Sequence, residues 1–76
     1  MITQSMVVRE IQEALSEPDS TVPEVARLIS LDPEIEVQVL RTANSAYYRR
    51  AGRVYDLTQA ILLIGFGRLS EIMSGL

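Results

Sequence analysis

Apolar residues recur along this chain every three or four positions, which is the period of a helix that buries one face. In residues 5–16 they are Val7, Ile11, Ala14 and Leu15, with charged and amide side chains between them. No stretch alternates apolar and polar residues over the length of a strand, and the Asn-Gly and Asp-Gly pairs typical of hairpins are missing. The pattern therefore predicts an all-α chain.

Start and stop signals divide the pattern into a compact bundle of about five short helices. Thr21, Asp32 and Asp56 each precede an apolar run and are suited to cap a helix N-terminus. Thr21 and Asp56 also have Glu or Gln three residues later, as in a capping box. Gly65 is suited to end the fourth helix. The predicted helices cover residues 5–16, 21–30, 32 to 44 or 45, 56–64, and 67–76.

Size and composition restrict the possible functions. With 76 residues, we expect a single domain, 1–76, whose core is small for independent stability. The chain has no Cys and no His, which removes disulfides, thiol chemistry and the commonest general base and metal ligand. The longest apolar run, residues 60–64, is too short to cross a bilayer, and the N-terminus does not resemble a signal peptide. We therefore expect a cytoplasmic protein without membrane association, catalytic activity, bound metal or cofactor.

Charge is distributed unevenly along the chain. Residues 1–40 contain eight acidic and two basic side chains, whereas residues 41–55 contain four arginines and no acid. An acidic body with one basic segment disfavours general nucleic-acid binding. Helices 2 and 3 are spaced like a helix-turn-helix pair, but Glu34 and Glu36 at the start of the second would face the phosphates.

The basic segment is the first candidate site. Arginine forks bind phosphate and tyrosine rings stack on bases, so the loop 47–55 is a possible phosphate or nucleotide site. The alternative interpretation is a solvated loop whose arginines offset the negative charge of helices 1–3. In that interpretation Asn44 only caps the C-terminus of helix 3. The candidate residues are Arg41, Asn44, Tyr47, Tyr48, Arg49, Arg50 and Arg53.

Helices 4 and 5 provide the second candidate site, because their apolar residues exceed what a short fold is expected to bury. Exposed apolar patches mark interfaces, and identical patches pair about a two-fold axis, so the excess predicts a homodimer. The candidate interface residues are Leu62, Leu63, Leu69, Ile72, Met73 and Leu76. Two other features have structural explanations. A metal site is a less plausible role than stabilisation of a helix N-terminus for the acidic residues Asp32, Glu34 and Glu36. A turn between helices is a better interpretation than a phosphate loop for residues 65–67.

Three motifs resemble the HDOD (HD-related output) domain in their order and spacing. Residues 21–33, TVPEVARLISLDP, are similar to its second helix and Asp-Pro turn. Residues 40–48, LRTANSAYY, resemble its Leu-x-x-Ala-Asn-Ser-Ala motif, and residues 56–65, DLTQAILLIG, resemble its Ala-Ile-x-x-Leu-Gly stretch. Together the motifs cover about residues 5–76.

The resemblance implies an HD-like all-α fold that serves bacterial signal transduction as an output module without phosphohydrolase activity. Together with the apolar excess of helices 4 and 5, it predicts a regulatory module that acts through protein–protein contacts. The family domain is usually about twice as long, so the chain resembles its N-terminal part. The sequence agrees equally with a natural short version of the domain and with a segment cut from a longer one.

Overall fold

A computed structural model describes residues 1–45 and 52–76 of the chain. This part is an all-α bundle of five helices, which confirms the predicted fold class. The helices are α1 (Gln4–Ser16), α2 (Val22–Ile29), α3 (Pro33–Ala43), α4 (Leu57–Ile64) and α5 (Phe66–Ser74). None of the helices in the described ranges is long and apolar enough to span a membrane.

Side-chain caps begin most of the helices where the sequence predicts them. Thr21 Oγ1 accepts a hydrogen bond from the Glu24 backbone N–H at 3.4 Å, and Asp56 Oδ1 accepts one from the Thr58 N–H at 3.3 Å. The reciprocal side-chain bonds of the two predicted capping boxes are not formed in the described residues, so each box is only half made. The sequence analysis missed the cap of α1, where Thr3 Oγ1 accepts from the Met6 N–H at 3.3 Å.

The core draws on all five helices. Helix α4 packs against α2, α3 and α5, α1 packs against α2 and α5, and α2 also contacts α3. Along α3, the side chains of Ile35, Val39 and Ala43 are buried, whereas those of Glu34, Val37, Gln38 and Arg41 are exposed. The fully buried core residues are Val7, Ile11, Val25, Ile29, Ile35, Val39, Ala43, Ala60, Ile61, Leu69 and Met73, and Ile64 is nearly buried.

Gly65 forms the junction between α4 and α5. Its N–H donates to the Ile61 carbonyl at 2.8 Å, and its carbonyl accepts from the Leu69 N–H at 3.1 Å. Its φ of +87° lies in the region that favours glycine, so one residue ends α4 and turns the chain into α5. The helix–helix turn predicted at residues 65–67 is therefore shorter than expected and consists of Gly65 alone, because α5 begins at Phe66, one residue earlier than predicted.

The fold of α5 corrects part of the predicted interface. Helix α5 returns against α1 and α4, and this places Leu69 and Met73 in the core with 0% and 1% of their surface exposed. Both residues were predicted to lie on an exposed face. The prediction was wrong for them because sequence spacing does not reveal that α1, more than fifty residues earlier, covers α5.

Candidate functional site: the outer face of α3

Helix α3 buries one stripe and exposes a mixed apolar and charged one. Ile35, Val39 and Ala43 are fully buried against the bundle. On the far side Val37 keeps 49% of its surface exposed, an unusual position for a valine on an otherwise polar face. Within residues 1–45 and 52–76 this face of α3 stays exposed, which makes it a candidate for binding.

Two adjoining concavities follow this outer face and share Val37 and Arg41. The larger has a volume of about 550 Å³ and also includes the segment that leads into α4. The smaller, of about 370 Å³, lies over the first turns of α3. We call them together the α3 surface. Its lining residues are Pro33, Glu34, Val37, Gln38, Leu40, Arg41, Asn44, Ser45, Arg53, Val54 and Tyr55.

Asn44 fastens the segment before α4 to the end of α3. Its Nδ2 donates to the carbonyl of Leu40 at 2.9 Å and to the carbonyl of Val54 at 2.8 Å. Its Oδ1 accepts from the Val54 backbone N–H at 2.6 Å. Both amide protons of Asn44 are thus used inside the fold, and its side chain pairs with both the backbone N–H and the carbonyl of Val54. This geometry supports the structural interpretation of Asn44 over a role in ligand binding.

The charge on the α3 surface is largely unneutralised. Arg41 and Arg53 line the same concavity and are exposed, and neither forms an ion pair within residues 1–45 and 52–76. The Cζ atom of Arg53 lies 5.9 Å from the centre of the Tyr55 ring, which is within cation–π range. Tyr55 itself keeps 78% of its surface exposed. The surface therefore combines two available guanidinium groups with exposed apolar side chains.

The first turn of α3 holds the acidic end of the surface. Asp32 caps the helix, its Oδ1 accepting from the backbone N–H groups of Glu34 at 2.9 Å and Ile35 at 3.1 Å. This confirms the cap interpretation of Asp32. Glu34 Oε2 accepts a hydrogen bond from Gln4 Nε2 at 3.3 Å, which ties the start of α1 to the start of α3.

The residues do not fit the His/Asp metal centre of an HD phosphohydrolase. The chain has no His, and in the described ranges no three acidic side chains come together in a way that could hold an ion.

The remaining residues predicted from the sequence lie in the loop before α4 and in the predicted α4/α5 interface. Tyr47, Tyr48, Arg49 and Arg50 lie outside the described residues, so their part of the predicted loop stays a prediction. In the predicted α4/α5 interface, Leu62 and Leu76 are exposed at 67% and 49%. Leu63 and Ile72 are partly buried and pack against the core.

Val37 was absent from the sequence predictions of this surface, whereas Tyr55 belongs to the predicted loop 47–55. A single apolar residue on a polar helix face is a weak signal. The signal that could have found Val37 is its separation from the buried stripe of Ile35 and Val39, which leaves it facing away from the core.

The comparisons with known proteins agree with the fold. The whole chain, residues 1–76, matches the model of the HDOD domain, and the chain therefore belongs to the HDOD family. A protein of Treponema pallidum (strain Nichols), described as uncharacterized, is 30% identical to it over 64 residues. The match covers 84% of this chain but 12% of the Treponema protein, so the chain spans a small part of that relative's length. No solved structure matches the chain.

Proposed function

We propose that this HDOD domain is a non-catalytic regulatory module of bacterial signal transduction, which works in the cytoplasm by contact with protein partners through its α3 surface. The observation that carries the proposal is the exposure of Val37 and Tyr55 beside two arginines, Arg41 and Arg53, that pair with no carboxylate in the part of the chain that the structure describes. Apolar groups with a charged border are the usual composition of a protein-binding surface.

The interior of the fold also supports a binding role. All of the large buried side chains are apolar, and the described residues bury no polar or charged side chain. Active sites usually rest on titratable groups whose properties burial has altered. The chemistry that remains for this chain lies on its surface, where it can recognise a partner.

The proposal is tested by replacing the natural gene with a Val37→Glu allele and measuring the signalling output that deletion of the gene alters. Because Val37 is half exposed and far from the core, the variant should fold and accumulate normally, which immunoblotting checks. We expect the allele to reproduce the deletion phenotype. A Leu62→Glu allele, which places the same charge on the exposed side of α4, is the matched control and should behave as wild type.

Two results would contradict the proposal. One is full signalling output from the Val37→Glu allele. The other is turnover of phosphomonoester or phosphodiester substrates by the purified chain in the presence of Mg²⁺ or Mn²⁺, since the proposed module acts without catalysis.

A second candidate function is the binding of a phosphate-bearing ligand such as a nucleotide. The specific observation in its favour is that Arg41 and Arg53 line one concavity beside the exposed ring of Tyr55. Thermal unfolding with inorganic phosphate and a nucleotide panel tests it, on the wild type and on an Arg41→Ala/Arg53→Ala variant. A rise in melting temperature that the variant loses would support a ligand site. No rise with any compound would dismiss it.

A further inference from the structure

The charges of the α3 surface have a regular spacing along the helix. Glu34 and Arg41 are seven residues apart, which on an α-helix is about 10.5 Å along the axis and about 20° around it. Both therefore lie on one line along the helix. Val37 and Gln38 lie midway between them, one on each side of that line, and all four residues line the same concavity.

The charges of Glu34 and Arg41 are self-complementary under a two-fold rotation. If a second helix α3 lies antiparallel on the first, with a two-fold axis between Val37 and Gln38, each Glu34 comes opposite the Arg41 of the other copy. The two Val37 side chains come together near the axis. A surface that matches itself in this way is the requirement for a two-fold symmetric dimer.

We infer that the partner of the α3 surface is a second copy of this chain, bound with the two α3 helices antiparallel and joined by two Glu34–Arg41 ion pairs. The inference deepens the proposed function and rests on it, because it uses the same surface and names its occupant.

The charges on the surface are available for such contacts. Arg41 forms no ion pair within the described residues, and only the Oε2 atom of Glu34 accepts a hydrogen bond there, at 3.3 Å from an exposed amide. In the dimer, both charges gain a partner of opposite sign. Val37, which keeps 49% of its surface exposed in the single chain, loses contact with water.

The helix ends favour the same orientation. The first turn of α3 carries Glu34 and Glu36, and its last turn carries Arg41. Antiparallel packing places the acidic N-terminal end of each helix beside the basic C-terminal end of the other, so that side-chain charges and helix dipoles both attract. Parallel packing would bring like charges together. The separation of acidic and basic segments along the sequence thus acquires a role in orienting two copies.

Charge reversal tests the inference, with sedimentation equilibrium from the low to the high micromolar range as the measurement. The wild-type chain should dimerise. Glu34→Arg and Arg41→Glu should each raise the dimer dissociation constant by at least about 10-fold, since each enters the symmetric contact twice and turns attraction into repulsion. The double variant exchanges the two charges and should restore dimerisation to within about 3-fold of wild type.

Matched controls come from the exposed face of α1. Glu13→Arg and Arg9→Glu change the net charge of the chain by the same amounts, and should leave the dissociation constant unchanged. Circular dichroism of every variant verifies that the helices are intact. A wild-type chain that stays monomeric, or a double variant that associates no better than the single ones, would overturn the inference.

These failures are distinguishable from failure of the proposed function. If the chain is monomeric and the Val37→Glu allele nevertheless abolishes signalling, the α3 surface binds a different protein and only the inference is lost. If that allele signals normally, the proposed function is lost as well.

Discussion

The contact between Asn44 and Val54 gives the clearest quantitative prediction of the structure. Replacing Asn44 by Ala removes three hydrogen bonds, to the Leu40 carbonyl and to both backbone groups of Val54. At about 1 kcal/mol each, with some replacement by water at this partly buried site, the loss should be about 2–3 kcal/mol. Stability at about 0.05–0.15 kcal/mol per residue amounts to about 4–11 kcal/mol for this chain. The substitution therefore removes a large fraction of the total.

Urea unfolding monitored by circular dichroism measures this loss directly. For a domain of this size, 2–3 kcal/mol corresponds to a fall in melting temperature of about 10–20 °C. Asn44→Asp should be similarly destabilised, because a carboxylate keeps the acceptor for the Val54 N–H but places a negative charge against two carbonyl oxygens. Thr42→Ala is the matched control. Thr42 Oγ1 donates a hydrogen bond to the Gln38 carbonyl within α3 at 2.9 Å, and loss of this bond should change the free energy of unfolding by less than about 0.5 kcal/mol. An Asn44→Ala variant as stable as Thr42→Ala would show that the Asn44 hydrogen bonds do not stabilise the fold.

Three further predictions concern the fold. Gly65→Ala should destabilise by about 1–3 kcal/mol through its φ of +87° alone, whereas Gly67→Ala, in α5 and with open space around an added Cβ, should stabilise by about 0.5–1 kcal/mol; urea melts of both check the sign. Leu69→Ala should lose about 2–5 kcal/mol because its side chain is fully buried, and Leu62→Ala, 67% exposed, less than about 0.5 kcal/mol; equal losses would show that α5 is not packed as described. Asp32→Ala should lose about 1 kcal/mol and Asp32→Ser much less, and hydrogen exchange should locate the change in the first turn of α3.

The helices were predictable because their signals are local. Asp32 followed by proline defines the start of α3, and the structure confirms it through two short hydrogen bonds. The end of α3 was predicted at residue 44 or 45 and lies at Ala43, with Asn44 as the C-cap residue. A partner ten residues away leaves no mark in a helical pattern, so the sequence offered a helix cap or a ligand contact for Asn44 but not the bonds to Val54.

The candidate site was less predictable because it depends on which faces meet. Arg41 and Arg53 were both singled out for their charge, but only the fold brings them to one concavity with Tyr55. Leu69 and Met73 follow the same apolar stripe as any interface helix, and their burial depends on the position of α1. A hydrophobic stripe indicates that a face is covered, and tertiary structure determines whether the same chain or another one covers it.

Disulfide formation between two copies of the chain would report whether they meet through the α3 surface. The natural chain has no Cys, so a single introduced cysteine reports on one position. Gln38→Cys lies beside the proposed two-fold axis, and Leu62→Cys lies on the exposed side of α4, which the sequence predicted as the interface. Under mild oxidation at equal concentration, Gln38→Cys should form a covalent dimer rapidly and Leu62→Cys should form little. A covalent dimer from Leu62→Cys with none from Gln38→Cys would place the interface at α4 and rule out the α3 surface.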